Sequence, residues 1–342
     1  MNSTLRLMLS SAALGLVAGS AFAQEITINS FGGAYEEAHR KCVIDPFTAA
    51  TGAKVNIVTA YSADAFAQVR AQKDAPQFDV IHFSGGQEIV AAAEGLLLPM
   101  TPEMVPALAD LYDFAKAGVA TGEGPAYQIA AVGLVASGAM PAAPTKWADL
   151  LNPDYSDHLV LTDISNGYGM IGMLMLNQIS GGTMDDIQPG LDAVAKLLEQ
   201  GAIVVSKSPE IQAEFAQNDA WLAPYASDYA YTLQKAGLDV KFIQGEEGTP
   251  ASFITASLVA GRNNVELASK FIDLELSPNA QACFSEALRY TPTNAKTVLA
   301  EDVAATVVYG PDATAGLMRF DPVKIEANRS AWTEAWGKTI AR

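Results

Sequence analysis

The stretch EITINSFGGAY, residues 25–35, decides how this chain is read. Glu25-Ile26-Thr27-Ile28-Asn29 alternates polar and apolar residues with period two, as a half-buried strand does. Phe31-Gly32-Gly33 breaks the alternation, and a helical pattern follows through Ala38, Cys42 and Val43. Strand, glycine turn and helix in that order open an α/β unit. The unit recurs: Val55 to Val58 and Phe78 to Phe83 read as strands, with a helix predicted from Asp64 to Lys73 between them.

Working outward, the second half repeats the theme. Leu159 to Thr162 is a short buried strand closed by a turn at Ser165 to Gly169. Asp186 to Gln200 carries Ile187, Leu191, Val194 and Leu198 on one helical face. Ala202 to Val205, Val240 to Ile243 and Ser257 to Ala260 are further strands, and Val265 to Leu276 is a further helix. Pro278 then restarts a helix at its first turn. No repeat, low-complexity tract or linker interrupts the chain. Two domains without a linker suggest lobes joined by strands that cross between them.

The ends and the charge balance set the setting. Arg6, the apolar run Leu7 to Val17 and Ala21-Phe22-Ala23 have the order of a cleavable export signal, residues 1–23. The run is shorter than the roughly 20 apolar residues that span a bilayer. Gln24 rather than a cysteine follows the cut, so no lipid attachment point of the lipoprotein kind is expected. The chain has 21 Lys+Arg against 38 Asp+Glu, and losing Arg6 leaves 20 − 38 = −18. Such an acidic surface excludes nucleic acid as a partner and disfavours anionic membranes. Cys42 and Cys283 are the two cysteines. In an oxidising compartment they allow one intramolecular pairing, while two small buried hydrophobes are the alternative.

Three strand ends share one design: Ser30-Phe31-Gly32-Gly33, Ser84-Gly85-Gly86 and Ser165-Asn166-Gly167-Tyr168-Gly169. Each leads into a helix. Glycines let a ligand approach the backbone, and a helix N-terminus offers unpaired N–H groups to an anion. In open α/β sheets, ligands sit beyond the carboxyl ends of strands. A single such loop would be a plain connection; three point to binding. Tyr225-Ala226-Ser227-Asp228-Tyr229-Ala230-Tyr231 sets three tyrosines around one aspartate, which suits a cationic head. The other reading of that stretch is a helix start capped by Ser227 or Asp228.

Catalytic and metal readings find no support. His39, His82 and His158 lie far apart with no metal-ligand spacing, and His82 reads as a packed strand residue. No nucleophile elbow or P-loop occurs. An enzyme, a resident cofactor and a metal are therefore not expected.

The ordered segments resemble the bacterial extracellular solute-binding proteins of the spermidine/putrescine-binding type, which serve ABC importers. The residues that carry the resemblance are Phe31-Gly32-Gly33-Ala34-Tyr35, Pro46-Phe47, Thr51 to Val55 and Phe78-Asp79-Val80. Gly95-Leu96-Leu97, Trp147 to Leu150, Asn152 to Tyr155, Glu247-Gly248, Ala268 to Pro278 and Tyr290 to Asn294 continue it.

The resemblance implies a two-lobed α/β fold of the type II periplasmic-binding kind, with discontinuous lobes. Residues 24–132 and 252–300 would form lobe 1, and 133–251 and 301–342 lobe 2. Strands near Ile129 to Ser137 and Ser252 to Ser257 would cross between them. Both cysteines would lie on lobe 1 helices. The implied function is capture of a small molecule by a monomer in the periplasm and delivery to the permease of an inner-membrane ABC transporter.

Carried over by position, Phe31 and Tyr35 fall on aromatic contacts, Ser84 on a serine contact and Tyr290 on a tyrosine contact. With the loops and the tyrosine cluster, the candidate ligand-binding residues are Phe31, Gly32, Tyr35, Ser84, Gly85, Ser165, Asn166, Tyr168, Tyr225, Asp228 and Tyr290. Positions acidic in polyamine binders align with Ile164, Gly167 and Ala256, and two aromatic positions with Gly86 and Ile254. The expected ligand is therefore a zwitterion such as 4-aminobutyrate, another amino acid-like compound or an aminophosphonate. Its acid is expected at the Ser165 loop and its amine at Asp228. Alternatives are putrescine or spermidine, thiamine and ferric iron; a secreted two-lobed enzyme and a sensor-presenting adapter are the rival classes.

Overall fold

The computed structural model describes residues 24–341, so the expected export signal lies outside the described residues. The strand Glu25–Ser30 buries Ile26 and Ile28, as its period-two pattern requires. It pairs in parallel with Lys54–Thr59 along its whole length and with Val80–Phe83 on its other side. Thr249–Val259 then joins Val80–Phe83 antiparallel, with Ala256 opposite His82.

Two long strands tie the molecule together. The first half of Ala126–Ser137 pairs antiparallel with Thr249–Val259, placing Ile129 opposite Phe253. From Val132 onward the same strand pairs with Leu222–Ala226 and Val240–Ile243 instead. Nearly every residue of both long strands is buried or half-buried. Strands covered on both faces show no alternation. That is why the period-two reading found only Ser257 to Ala260 of the second one and neither Leu222–Ala226 nor the start of Ala126–Ser137.

Separate apolar cores lie at the two ends of these strands. Ile26, Ile28, Phe47, Phe271 and Phe284 pack in one; Trp147, Leu161, Met173, Leu197 and Trp336 pack in the other. Each such fully buried side chain contributes about 1.5–3 kcal/mol. The helix Gly167–Ile179 is buried continuously from Gly169 to Asn177. It is apolar all round because it is a core helix.

The C-terminal helix Pro322–Ile340 went unrecognised in the sequence. It starts where Asp321 accepts from the N–H groups of Val323 and Lys324, and it buries only a narrow stripe through Trp332, Trp336 and Thr339. Among the described residues no helix is long and apolar enough to cross a membrane. Cys42 and Cys283 form a disulfide, with Cα atoms 5.6 Å apart. The bridge joins the helical segment that follows Tyr35 to the helix that precedes Tyr290, so both tyrosines are held from one point.

Candidate functional site

The strand Leu222–Ala226 ends where the helix Ser227–Lys235 begins, which places Asp228 in the helix's first turn. A carboxylate is favoured there by the unpaired N–H groups. The backbone N–H groups of Asp228 and Tyr229 and the Tyr290 hydroxyl support it. Its Oδ1, sealed from solvent, has no hydrogen-bond partner among the described residues. Burial outweighs the support, and the carboxyl is pushed up to about 6.

Tyrosines converge on this carboxylate from both lobes. Tyr290 faces both Asp228 and Tyr168. Tyr168 and Tyr225 meet edge to face at 5.2 Å, as do Tyr225 and Tyr229. Burial and the Asp228 charge push Tyr168 and Tyr290 well up, and burial with Tyr225 and Asp228 pushes Tyr229 up to about 12. These phenols stay neutral, presenting ring faces and hydroxyls that suit a cation. Tyr231 does not belong to this box: its ring faces the Arg289 guanidinium instead, at 4.0 Å.

Phe31 and Tyr35 extend the aromatic surface. Phe31 lies 4.7 Å from Tyr35 and parallel to Tyr61, which is 68% exposed. The Tyr35 hydroxyl hydrogen-bonds that of Tyr127. Gly32 is the turn residue between them, with φ 76. Tyr61 and Tyr127 lie outside the residues that the sequence pattern singles out. Tyr61 follows the strand Lys54–Thr59 and could have been found as a fourth strand end, whereas Tyr127 is hidden in a continuously buried strand.

A separate open pocket is lined by Ser84, Gly85, Gly167, Phe253, Arg319 and Arg329, among others. Ser84 is pinned: its N–H donates to Ser62 Oγ and its carbonyl accepts from Ser252 Oγ. Gly86 has φ 88, and a β-carbon there would lie 2.1 Å from Pro322. Only glycine lets the C-terminal segment close over this loop. Arg319 donates to the buried Glu88 at 2.6 Å and lies 4.9 Å over Phe253. Burial raises the Glu88 carboxyl despite Arg319. Neither arginine was signalled by sequence, since both stand in the unrecognised C-terminal segment.

The Ser165 loop corrects an expectation. Ser165 is exposed, but its N–H and hydroxyl both donate to Asp163 Oδ1, at 2.9 and 2.5 Å. The Asn166 N–H goes to the Asp163 carbonyl, and the Asn166 side chain caps the Tyr168 N–H and donates to the Tyr225 hydroxyl. These donors, which were expected to receive the ligand's acid, are spent on the protein, with a carboxylate already among them. Gly167 is the loop residue that opens onto the arginine pocket. Of the other aligned positions, Ile164, Ala256 and Ile254 are buried in the cores.

Two histidines far apart in sequence meet in the first core. His39 Nε2 and His82 Nε2 lie 2.8 and 2.9 Å from the same oxygen of Glu275, and His82 Nδ1 lies 2.9 Å from the Asn29 carbonyl. The donor types would suit Zn²⁺. All three side chains are fully buried, however, and their facing atoms are hydrogen-bonded to one another, so the cluster is a polar pin of the core.

A cleft between two cores bridged by long strands, lined with aromatic rings and single charges, is a ligand-capture geometry. A sequence profile of the bacterial extracellular solute-binding proteins matches residues 43–309. The chain belongs to this family. The spermidine/putrescine-binding periplasmic protein of Escherichia coli is 26% identical over 187 residues, 54% of this chain and 53% of that protein. The match spans about half the length of the curated relatives. An ABC transporter protein from Clostridium perfringens superposes with TM-score 0.80 at 20% identity, covering 92% of this chain and 99% of that one. A GABA receptor of known structure superposes with TM-score 0.76 at 19% identity, covering 93% and 98%. These neighbours establish the two-lobed periplasmic-binding fold for the solute-binding protein.

Proposed function

We propose that this solute-binding protein captures a small zwitterion with a single amine, closes its two lobes over it and delivers it to the permease of an ABC importer. The sealed, unpartnered Asp228 Oδ1 within the box of Tyr168, Tyr225, Tyr229 and Tyr290 carries this reading. One carboxylate matches one ammonium; a second ammonium buried without a partner would cost several kcal/mol. The acid end is assigned to the N–H groups of Arg319 and Arg329 beyond those given to Glu88 and Glu326, rather than to the Ser165 loop. Successive residues, Gly167 and Tyr168, face the arginine pocket and the tyrosine box. A ligand lying across the start of the helix Gly167–Ile179 would therefore meet both. The fold likeness to a GABA receptor supports trying 4-aminobutyrate first; the curated relatives make putrescine and spermidine the competitors.

A thermal-shift screen followed by calorimetry tests the proposal, since ligand raises stability by mass action. Single-amine zwitterions are expected to bind more tightly than putrescine or spermidine. Micromolar spermidine binding that survives Asp228→Asn would overturn it.

A further inference from the structure

We propose that Arg289 is a positioning residue: it clasps the helix that carries Asp228 across the cleft and sets how long the lobes stay shut. The inference rests on the lobe closure proposed above. Arg289 follows the helix Pro278–Leu288, whose Phe284 packs in the core of Phe47 and Phe271. Tyr231 stands on the helix Ser227–Lys235, whose Ala230 and Leu233 pack in a different core with Val135 and Tyr225. The Arg289 guanidinium carbon lies 4.0 Å over the Tyr231 ring. This is an attraction between a cation and an aromatic face, strengthened because Arg289 is largely buried.

The clasp is built at several atoms. Nη1 of Arg289 donates to the carbonyls of Ser285 and Glu286, which fixes the guanidinium plane. Its backbone carbonyl accepts from Ser227 Oγ, at 3.5 Å. Ser227 and Tyr231 are one turn apart on one helix face, so Arg289 holds that face at two points. Its neighbour Tyr290 faces Asp228 within the same turn. Consecutive residues of one lobe thus grip consecutive residues of the other, one pair at the ligand and one behind it.

Arg289 closes its helix in the left-handed region, with φ 60, where a β-carbon is disfavoured and glycine is the usual residue. What the position gains in return is the side chain that reaches Tyr231. Lys235 approaches the same ring at 5.5 Å, too far to replace it fully.

The test is the lobe-to-lobe distance distribution of the ligand-free, disulfide-intact protein, measured by pulsed electron resonance between spin labels at Lys73→Cys and Glu199→Cys. Wild type is expected to show a long and a short distance. Arg289→Gln and Tyr231→Leu should each lower the short-distance population about tenfold, and the double variant no further. Arg289→Lys should keep part of it. Arg289→Gly, which suits the left-handed backbone and so spares the fold, should lose it with an unchanged melting midpoint. Additive losses, or an unchanged short-distance population in wild-type-like closure, would overturn the clasp alone. A single distance in wild type, unchanged by 4-aminobutyrate, putrescine or spermidine, would overturn closure and the clasp with it.

Discussion

Glu275 and Asp228 are both buried carboxylates, and they behave in opposite ways. Glu275 faces two histidines; burial pushes it up, but His82 and His39 outweigh that and hold it below the ordinary range. Asp228 faces tyrosines and backbone N–H groups, and it rises to about 6. A buried acid whose oxygen is met by fixed hydrogen-bond partners belongs to the fold. A buried acid with an oxygen left unpartnered is stabilised only when something cationic arrives. That contrast separates the core of the first lobe from the cleft beside it.

The largest effect is expected at Glu275. Glu275→Ala leaves two histidines buried without their shared acceptor and should destabilise folding by about 3–5 kcal/mol, read by urea unfolding. Ligand affinity of the fraction that stays folded should change little. If the loss of stability is small and the loss of affinity large, the two carboxylates have been assigned to the wrong roles.

Asp228→Asn should do the reverse. Binding of the best single-amine zwitterion is expected to weaken by about 2–5 kcal/mol in calorimetry. Its stability effect depends on pH, with the following sign. The folded carboxyl lies above its unfolded value, so its contribution is greatest below about 4 and is lost as pH rises through about 6. Ligand-free Asp228→Asn should therefore be more stable than wild type at pH 8, by at most about 3 kcal/mol, and the gap should close toward pH 4. Equal melting curves at both pH values would show that Asp228 is not strained in the empty cleft.

The smallest expected effect lies in the arginine pocket. Arg329→Gln, which breaks only an exposed pairing with Glu326, should weaken a zwitterion by about 1–2 kcal/mol and leave putrescine binding untouched. Equal losses for both compounds would remove the acid end from the arginine pocket.

Which parts of this site could be read from sequence follows from how each signal is carried. Tyr225, Asp228 and Tyr229 are neighbours in the chain, so their cluster was visible. Gly32, Gly85 and Gly86 were visible because a turn needs residues of that kind at that place. Tyr231 was misplaced because helical rotation turns it away from Asp228, a fact that spacing along a line does not express. The Ser165 loop reads in sequence as a set of free donors, because nothing in a linear pattern marks Asp163, two residues earlier, as their acceptor. Arg319 and Arg329 gave no signal at all, since a lone arginine has no pattern.

By itself the sequence determined what is local and periodic: the α/β order, the glycine-rich strand ends and the tyrosine-aspartate run. Tertiary structure decided what depends on partners distant in the chain. It set His39 and His82 against Glu275, residues separated by 236 and 193 positions, and left Asp228 with no cation. The physical reason is desolvation: a carboxylate's ordinary chemistry is a property of the residue, but its cost in the interior depends on which charges the fold brings within hydrogen-bond reach.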